Sequence, residues 1–407
     1  LTAVLSWLPR TRRILLFLIL LLSSTQLGLH FWPSSSLVYG IRVDYLSPTI
    51  YFLDFLMMFY LLLNRLTDLW LYSAQYFVVV LLSNLVFSAN PLATLSWSLH
   101  FFLYAIFVAS IKFENLTSPP HFTKHFRQGI WDLGFPLILS SFFQLTLAAL
   151  QVYLGHSLQG PFYYLGERMV SVGQPAVALS SFMDQVLLRA YGTFGHPNVL
   201  AGWLVIVCLI ILRLKPKPLV RYILLMIPAI GILLTQSRSA ALAFFGLVIP
   251  WYLLISLRSR LIYYASLLVL VSFSLSFVSP SRSDLSLTER LDLQRLSLQV
   301  TPQYPLFGTG ANASIPTYPD TDPSFRLLQP DHNSFTLFIS WFGLAGIITI
   351  IYLIRIYGFK DLRVYDFFPL IPLLLLDHYL LTSPQGLLIL LIYLKVVNYS
   401  HVKSHRQ

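Results

Sequence analysis

Three arginines and one histidine, all in polar stretches between apolar runs, have the types and placement to do chemistry. Arg189 opens Arg189-Ala-Tyr-Gly-Thr-Phe-Gly-His196-Pro-Asn198. Arg238 stands in Thr235-Gln-Ser-Arg238-Ser, Arg290 follows Ser286-Leu-Thr-Glu289, and His332 lies in Asp331-His332-Asn333-Ser-Phe. A guanidinium is planar, always charged and bidentate, so it suits phosphate or carboxylate. An imidazole titrates near neutrality and can accept a proton, and Asp331 is placed to orient the ring of His332. Plainer readings stand beside these. Gly-His-Pro-Asn can be a loop-to-helix joint, with Pro197 in a first helical turn and Gly192 and Gly195 allowing close backbone approach. Arg238 can snorkel to headgroups. His332 can be structural, next to Asn333 or Ser334 as a helix cap. The joint leaves Arg189 unexplained.

The elements that must position these residues are membrane helices. Of 407 residues, 56% are hydrophobic and 11% charged, against about 25% charged in a soluble domain. Such a chain cannot cover itself with polar surface, so it must meet lipid. Runs near the ~20 residues needed to cross a bilayer fall at 14–31, 48–64, 69–88, 92–111, 129–154, 198–213, 219–235, 239–256, 261–279, 334–354, 367–381 and 385–399. The fold class is therefore all-α, one polytopic transmembrane domain over 1–407 with about 12 spans. Ile14–Leu22 follows Arg10, Arg12 and Arg13 like a signal-peptide core, but with no clear cleavage site it reads as the first span. Asp54 and Asp377 are carboxylates inside apolar spans, functional candidates by default. Burial against a neighbouring helix is the alternative. The single cysteine, Cys208, excludes a disulfide or thiolate metal site within the chain.

Charge sets the orientation. With the N-terminus inside, only Arg42, Arg168, Arg189, Arg238, Arg282, Arg290, Arg295 and Arg326 fall outside, and the remaining 19 of the 27 Lys and Arg fall inside. All the lysines are inside. This is the positive-inside bias; it puts both termini in the cytoplasm and accounts for the net charge of +11 without nucleic acid as a partner.

Two long loops then face outward, 155–197 and 280–333. In the first, Ala176–Leu188 reads as a short amphipathic interfacial helix. The second opens with a capping box, Ser286-Leu-Thr-Glu289. In the helix that follows, Leu293, Leu296 and Val300 form an apolar stripe, and Arg290, Gln294 and Ser297 a polar one. Pro302 ends it. Tyr304-Pro-Leu-Phe-Gly308-Thr-Gly310 reads as a tight turn, since a nucleotide fingerprint needs a strand before and a helix after. Asp320 and Asp322, flanking Thr321, read as loop solvation. No metal site and no cofactor is implied.

The ordered motifs resemble the O-antigen ligase and O-antigen polymerase family of bacterial membrane glycosyltransferases. They are Arg189-x-x-Gly-Thr-Phe-x-x-Pro197-Asn198-x-x-Ala201, Ser237-Arg238-Ser, Glu289-Arg290-Leu-x-Leu continuing to Pro305-Leu-Phe-Gly308-Thr-Gly310, and His332-Asn333-Ser-Phe followed by Gly343-Leu-Ala-Gly346. The family often has Trp four residues after the arginine where this chain has Gln294. The resemblance implies transfer of a glycan from undecaprenyl diphosphate to a sugar hydroxyl on the periplasmic face of the bacterial inner membrane. The acceptor is lipid A-core in a ligase or another lipid-linked glycan in a polymerase. It implies inverting, metal-independent chemistry. Arg189 and Arg290 would hold the diphosphate, with Arg238 next; His332 would be the general base, and Asn198 and Asn333 would bind substrate. A transporter of lipid-linked sugar is the reading from a different class; it would line a midplane cavity with charge.

Overall fold

The computed structural model describes residues 2–64, 80–111, 133–175, 177–182, 185–214, 216, 218–253, 280–318, 327–356 and 364–404. The span expected at 261–279, and Arg326, Asp320 and Asp322, lie outside them.

The architecture is helical with three small two-stranded sheets. The first helix, α1 (Thr2–Leu21), ends earlier than 14–31 suggested. The run Ser23-Ser24-Thr25 stops it: Ser23 Oγ turns back to the Leu20 carbonyl at 2.8 Å. The chain then makes a small cap. β1 (Gly28–His30), β2 (Leu37–Val38), β3 (Ile41–Arg42) and β4 (Thr49–Tyr51) pair as β1–β4 and β2–β3, both antiparallel. So the expected span 48–64 begins as a strand, and α2 (Phe52–Leu62) has only 11 residues, about 16 Å at ~1.5 Å per residue.

Next come α3 (Pro91–Ser110) and α4 (Phe135–Leu154), then β5 (Leu179–Phe182) and β6 (Gln185–Leu188). β5 and β6 form a hairpin where an interfacial helix was expected. Val186 is a β-favouring residue, and Leu188 packs with Val170 and Tyr191 in a satellite core. α5 (Pro197–Arg213) is buried from Pro197 to Leu212. A helix apolar on every face belongs at the centre of a bundle; α6 (Pro218–Thr235) packs on one side of it and the last helix on another. After α6, α7 (Arg238–Ala241) runs into a π-helical stretch, Leu242–Val248, and then α8 (Ile249–Leu253).

α9 (Pro280–Val300) has 21 residues, so the second long loop, 280–333, carries a long helix. Ser286 lies inside it and is not its cap. Leu293, Leu296 and Val300 are buried as the apolar stripe required. α10 (Ser334–Ile356) is broken at Gly343, whose φ is 55° and ψ −152°. The segment 305–310 fills the break. The Thr309 and Gly310 N–H groups donate to the Ser340 and Trp341 carbonyls, and the Leu344 and Ala345 N–H groups donate to the carbonyls of Pro305 and Leu306. The Ser340 and Trp341 carbonyls and the Leu344 and Ala345 N–H groups, which the break in the helix frees, are thereby paired. This is the tight turn of the Gly308/Gly310 motif, and its partner is the Gly343 motif.

The span expected at 367–381 is in pieces: α11 (Val364–Phe367), a 3₁₀ turn, α12 (Ile371–Leu376) and α13 (Tyr379–Thr382), with Asp377 extended between the last two. Pro369 and Pro372 fall in this stretch, and proline cannot donate to a preceding turn. α14 (Pro384–Ser404) closes the described chain.

Among the described residues, three helices are long and apolar enough to cross a membrane, Pro91–Ser110, Phe135–Leu154 and Ser334–Tyr352, and four shorter apolar helices accompany them. Helix ends gather in two places. At one end Arg213 pairs with Asp366, and Lys395 Nζ donates to the Ala109 carbonyl at 3.4 Å. At the other, the C-terminus of α6 and the starts of α5, α7 and α10 meet around Asp377.

Candidate active site

Asp377 is the hub of that second end, and it is 3% exposed. Its Oδ1 accepts a hydrogen bond from Asn198 Nδ2 at 3.1 Å, and its Oδ2 accepts one from Ser239 Oγ at 2.5 Å. Its backbone carbonyl accepts from Ser334 Oγ at 2.8 Å. Arg290 brings a guanidinium nitrogen to 3.9 Å from Oδ1, and His332 Nδ1 stands 3.8 Å from the same oxygen. Through its carboxylate Asp377 thus ties together α5, α7 and α9, and through its backbone carbonyl α10.

Arg189 enters behind Asn198. Its Nε donates to the Thr235 carbonyl at 2.6 Å, and a terminal nitrogen donates to Asn198 Oδ1 at 2.8 Å. Thr235 is the last residue of α6, so the cation sits at the negative end of a helix dipole. Burial is the main cause that lowers the Arg189 pKa, and Arg290 and Arg238 lie near enough to lower it further. Arg189 and Asn198 from one motif, and Arg290 and His332 from two others, therefore converge, while Arg238 joins the cluster from an exposed position. A chain Arg189–Asn198–Asp377–His332 runs through the site.

Two neighbours do other work. Asp331, expected to orient His332, instead starts α10: its Oδ1 accepts from the Asn333 N–H at 2.9 Å and its Oδ2 from the Thr336 hydroxyl. Burial pushes its pKa up. Asp377 takes the place beside His332. The Asn333 side-chain oxygen caps the same helix, accepting from the N–H groups of Phe335 and Thr336 at 3.0 and 3.4 Å. His196 caps α5, its Nδ1 accepting from the Asn198 N–H at 3.2 Å, as the loop-to-helix reading of this motif expects.

His332 Nδ1 is buried and has no hydrogen-bond partner. At 3.8 Å it is beyond hydrogen-bond range of Asp377, a separation that substrate closure can shorten. The ring of His378 packs against that of His332 with centroids 4.9 Å apart. A cavity of about 590 Å³ opens in front of this end, walled by His332, Asp377, Asn198, His196 and His378 on one side. The cap 28–51 also lines it, through His30 and Tyr51 of the strands and Tyr45 of the turn Asp44–Leu46. The Tyr45 ring lies edge-on to His378 at 5.4 Å, and burial pushes its hydroxyl up to about 12. Among the described residues the only arginine in the wall is Arg168, ion-paired to Asp44 at 2.7 Å. No group of three His, Cys, Asp or Glu side chains is placed to hold a metal ion among the described residues.

The sequence marks Asp377 as a functional candidate but gives it no partner, and it does not point to Ser239, His378 or the cap 28–51. An intramembrane carboxylate followed by His, in a proline-interrupted run, was the available signal. Asp54, the other carboxylate so named, accepts from the Tyr51 N–H at 2.7 Å and contacts His100 Nε2 at 3.1 Å.

Residues 222–354 match the family model described as O-antigen ligase. Arg238, Arg290, His332 and the Gly343 kink lie inside the match, and Arg189, Asn198 and Asp377 are brought to it from either side by the fold. No curated protein matches the chain.

Proposed function

Because the chain belongs to the O-antigen ligase family through residues 222–354, we propose that it transfers a glycan from undecaprenyl diphosphate to a sugar hydroxyl on the periplasmic face of the inner membrane. The observation that carries this reading is the convergence of Arg189, Arg290 and His332 on Asp377 at one end of the helix bundle.

The roles follow from charge. The acceptor oxygen attacks the anomeric carbon, the bond from that carbon to the diphosphate oxygen breaks, and negative charge grows on the departing diphosphate. Fixed guanidinium groups stabilise such charge without reorganising. Arg290 and Arg189 are the ligands assigned to it, with Arg238 at the exposed edge. The acceptor hydroxyl must give up its proton. With Nδ1 of His332 turned toward Asp377, Nε2 is the nitrogen left to take that proton, and a positioned base of this kind contributes about 10²–10⁴ in rate. Attack opposite the leaving group inverts the anomeric centre, and neither step calls on a metal.

Lipid A-core is the acceptor in the first form of this reading, and a second lipid-linked glycan in the other. A deletion strain separates them: a ligase leaves lipid-linked polymer accumulating, and a polymerase leaves only single repeat units. Alanine at Arg189, Arg290 or His332 should abolish surface glycan while the protein still inserts. Normal glycan display in a His332→Ala strain would remove the base from the mechanism.

A further inference from the structure

The cavity in front of His332 differs chemically from the arginine cluster behind it. Arg189, Arg238 and Arg290 do not contribute to its wall; the charged groups there are Asp377 at the back, Glu167, and the Arg168–Asp44 pair. Two amide side chains in the wall have polar atoms with nothing to bond. Gln385 is 2% exposed, and its Nε2 has no hydrogen-bond partner. Asn312 donates from Nδ2 to the Tyr45 carbonyl, but its buried Oδ1 is unpartnered. One is a donor and the other an acceptor. Leaving both unmet in a folded protein is costly, so a ligand that both donates and accepts is what they suit. The same cavity is lined by Tyr45, Tyr51 and Tyr163, the last 57% exposed. Aromatic faces with a few fixed polar atoms, in a volume inside the ~300–1,000 Å³ of small-molecule sites, fit a sugar ring: apolar on its C–H faces, and rimmed by hydroxyls that donate and accept. They do not fit a diphosphate.

Resting on the transferase reading, we infer that this cavity is the acceptor site, in which a neutral saccharide ring is held by Gln385 Nε2 and Asn312 Oδ1 with one hydroxyl at His332, while the lipid diphosphate occupies the arginine side of Asp377. Asp377 then divides donor from acceptor and faces both. Gln385 and Asn312 become specificity residues for the acceptor alone.

The test separates the two ligands. Purified protein in detergent is titrated with undecaprenyl diphosphate carrying no sugar, and with the oligosaccharide released by mild acid from the host envelope. Gln385→Met keeps length and removes the amide. It should weaken oligosaccharide binding roughly tenfold, about the worth of one hydrogen bond, and leave undecaprenyl diphosphate binding within about twofold. Asn312→Gly, which the backbone at φ 59° accepts, should show the same split and covers the case in which the first variant does not fold. Arg290→Ala should show the reverse. Unchanged oligosaccharide binding in both amide variants, or loss of diphosphate binding in place of it, overturns the site. Wild-type protein that binds the oligosaccharide but transfers nothing overturns the transferase reading and leaves the site standing.

Discussion

Asp377→Asn isolates the role of one charge. The side chains have the same shape. Asparagine can still accept from Asn198 or Ser239 through its oxygen, and the Ser239 hydroxyl can rotate to accept from the new amide. Packing at this 3%-exposed position is kept, so the stability cost should be about 1–2 kcal/mol. The charge itself is gone. Arg290 and His332 stand 3.9 and 3.8 Å from it, where a unit pair at an effective dielectric near 20 interacts by about 4 kcal/mol before desolvation. Arg290 keeps 25% of its side chain exposed, and solvent makes up most of its share. Asp331, the carboxylate next in sequence to His332, is engaged by the start of α10. The rate should therefore fall about 10²–10⁴-fold, or about 3–5 kcal/mol of barrier. The assay is transfer from a lipid-diphosphate glycan by reconstituted protein, read beside its unfolding midpoint. If Asp377 acts through His332, the Asp377→Asn/His332→Ala double variant is no slower than His332→Ala. Fully additive losses, or a folded Asp377→Asn protein within about threefold of wild type, would show that the carboxylate does not position the base.

Three further outcomes are expected. A methyl group on Gly202 would sit 1.6 Å from the Tyr379 hydroxyl oxygen and 2.5 Å from Cζ, so Gly202→Ala should cost about 1–3 kcal/mol in thermal unfolding and disturb the neighbouring Asp377; adding Tyr379→Phe should restore part of it. Gly343→Ala places a Cβ 2.8 Å from the Leu306 and Gly308 backbone at a φ of 55°, a region reserved for glycine, and should lose at least about 1–3 kcal/mol. The raised pKa of Asp331, caused first by burial, means the folded state favours its neutral form. That contribution is complete below the unfolded value of about 3.9 and is lost as pH rises through the folded one. Asp331→Asn should therefore flatten the decline of the unfolding midpoint with rising pH from about 4 upward; an unchanged slope would show that the group is not responsible.

What the sequence determined by itself is residue type and one-dimensional pattern. Too few charges for a soluble surface required lipid, the apolar runs required helices, and the stripe of Leu293, Leu296 and Val300 was a buried face before any coordinate was known. Arg189, Arg290 and His332 could be named because they are polar groups in the stretches between apolar runs, and Asn198 because of its place in the motif that carries the resemblance. The tertiary structure alone decided what they surround. Asp377 lies 179 residues from Asn198 along the chain, and no periodicity links the two. Its neighbours arrive because α5, α7 and α10 all begin, and α6 ends, at the same end of the bundle. β1 and β4, at the two ends of the cap, fall within stretches expected to be helix for a related reason. An apolar strand that buries one face reads like a short stretch of helix, and only its cross-strand partner, 21 residues away in the register Leu29 to Ile50, tells them apart. Pairing of Asp331 with His332 failed on geometry: adjacent residues at a helix start point in different directions, so the carboxylate next in sequence caps the helix, and one from a distant break reaches the imidazole.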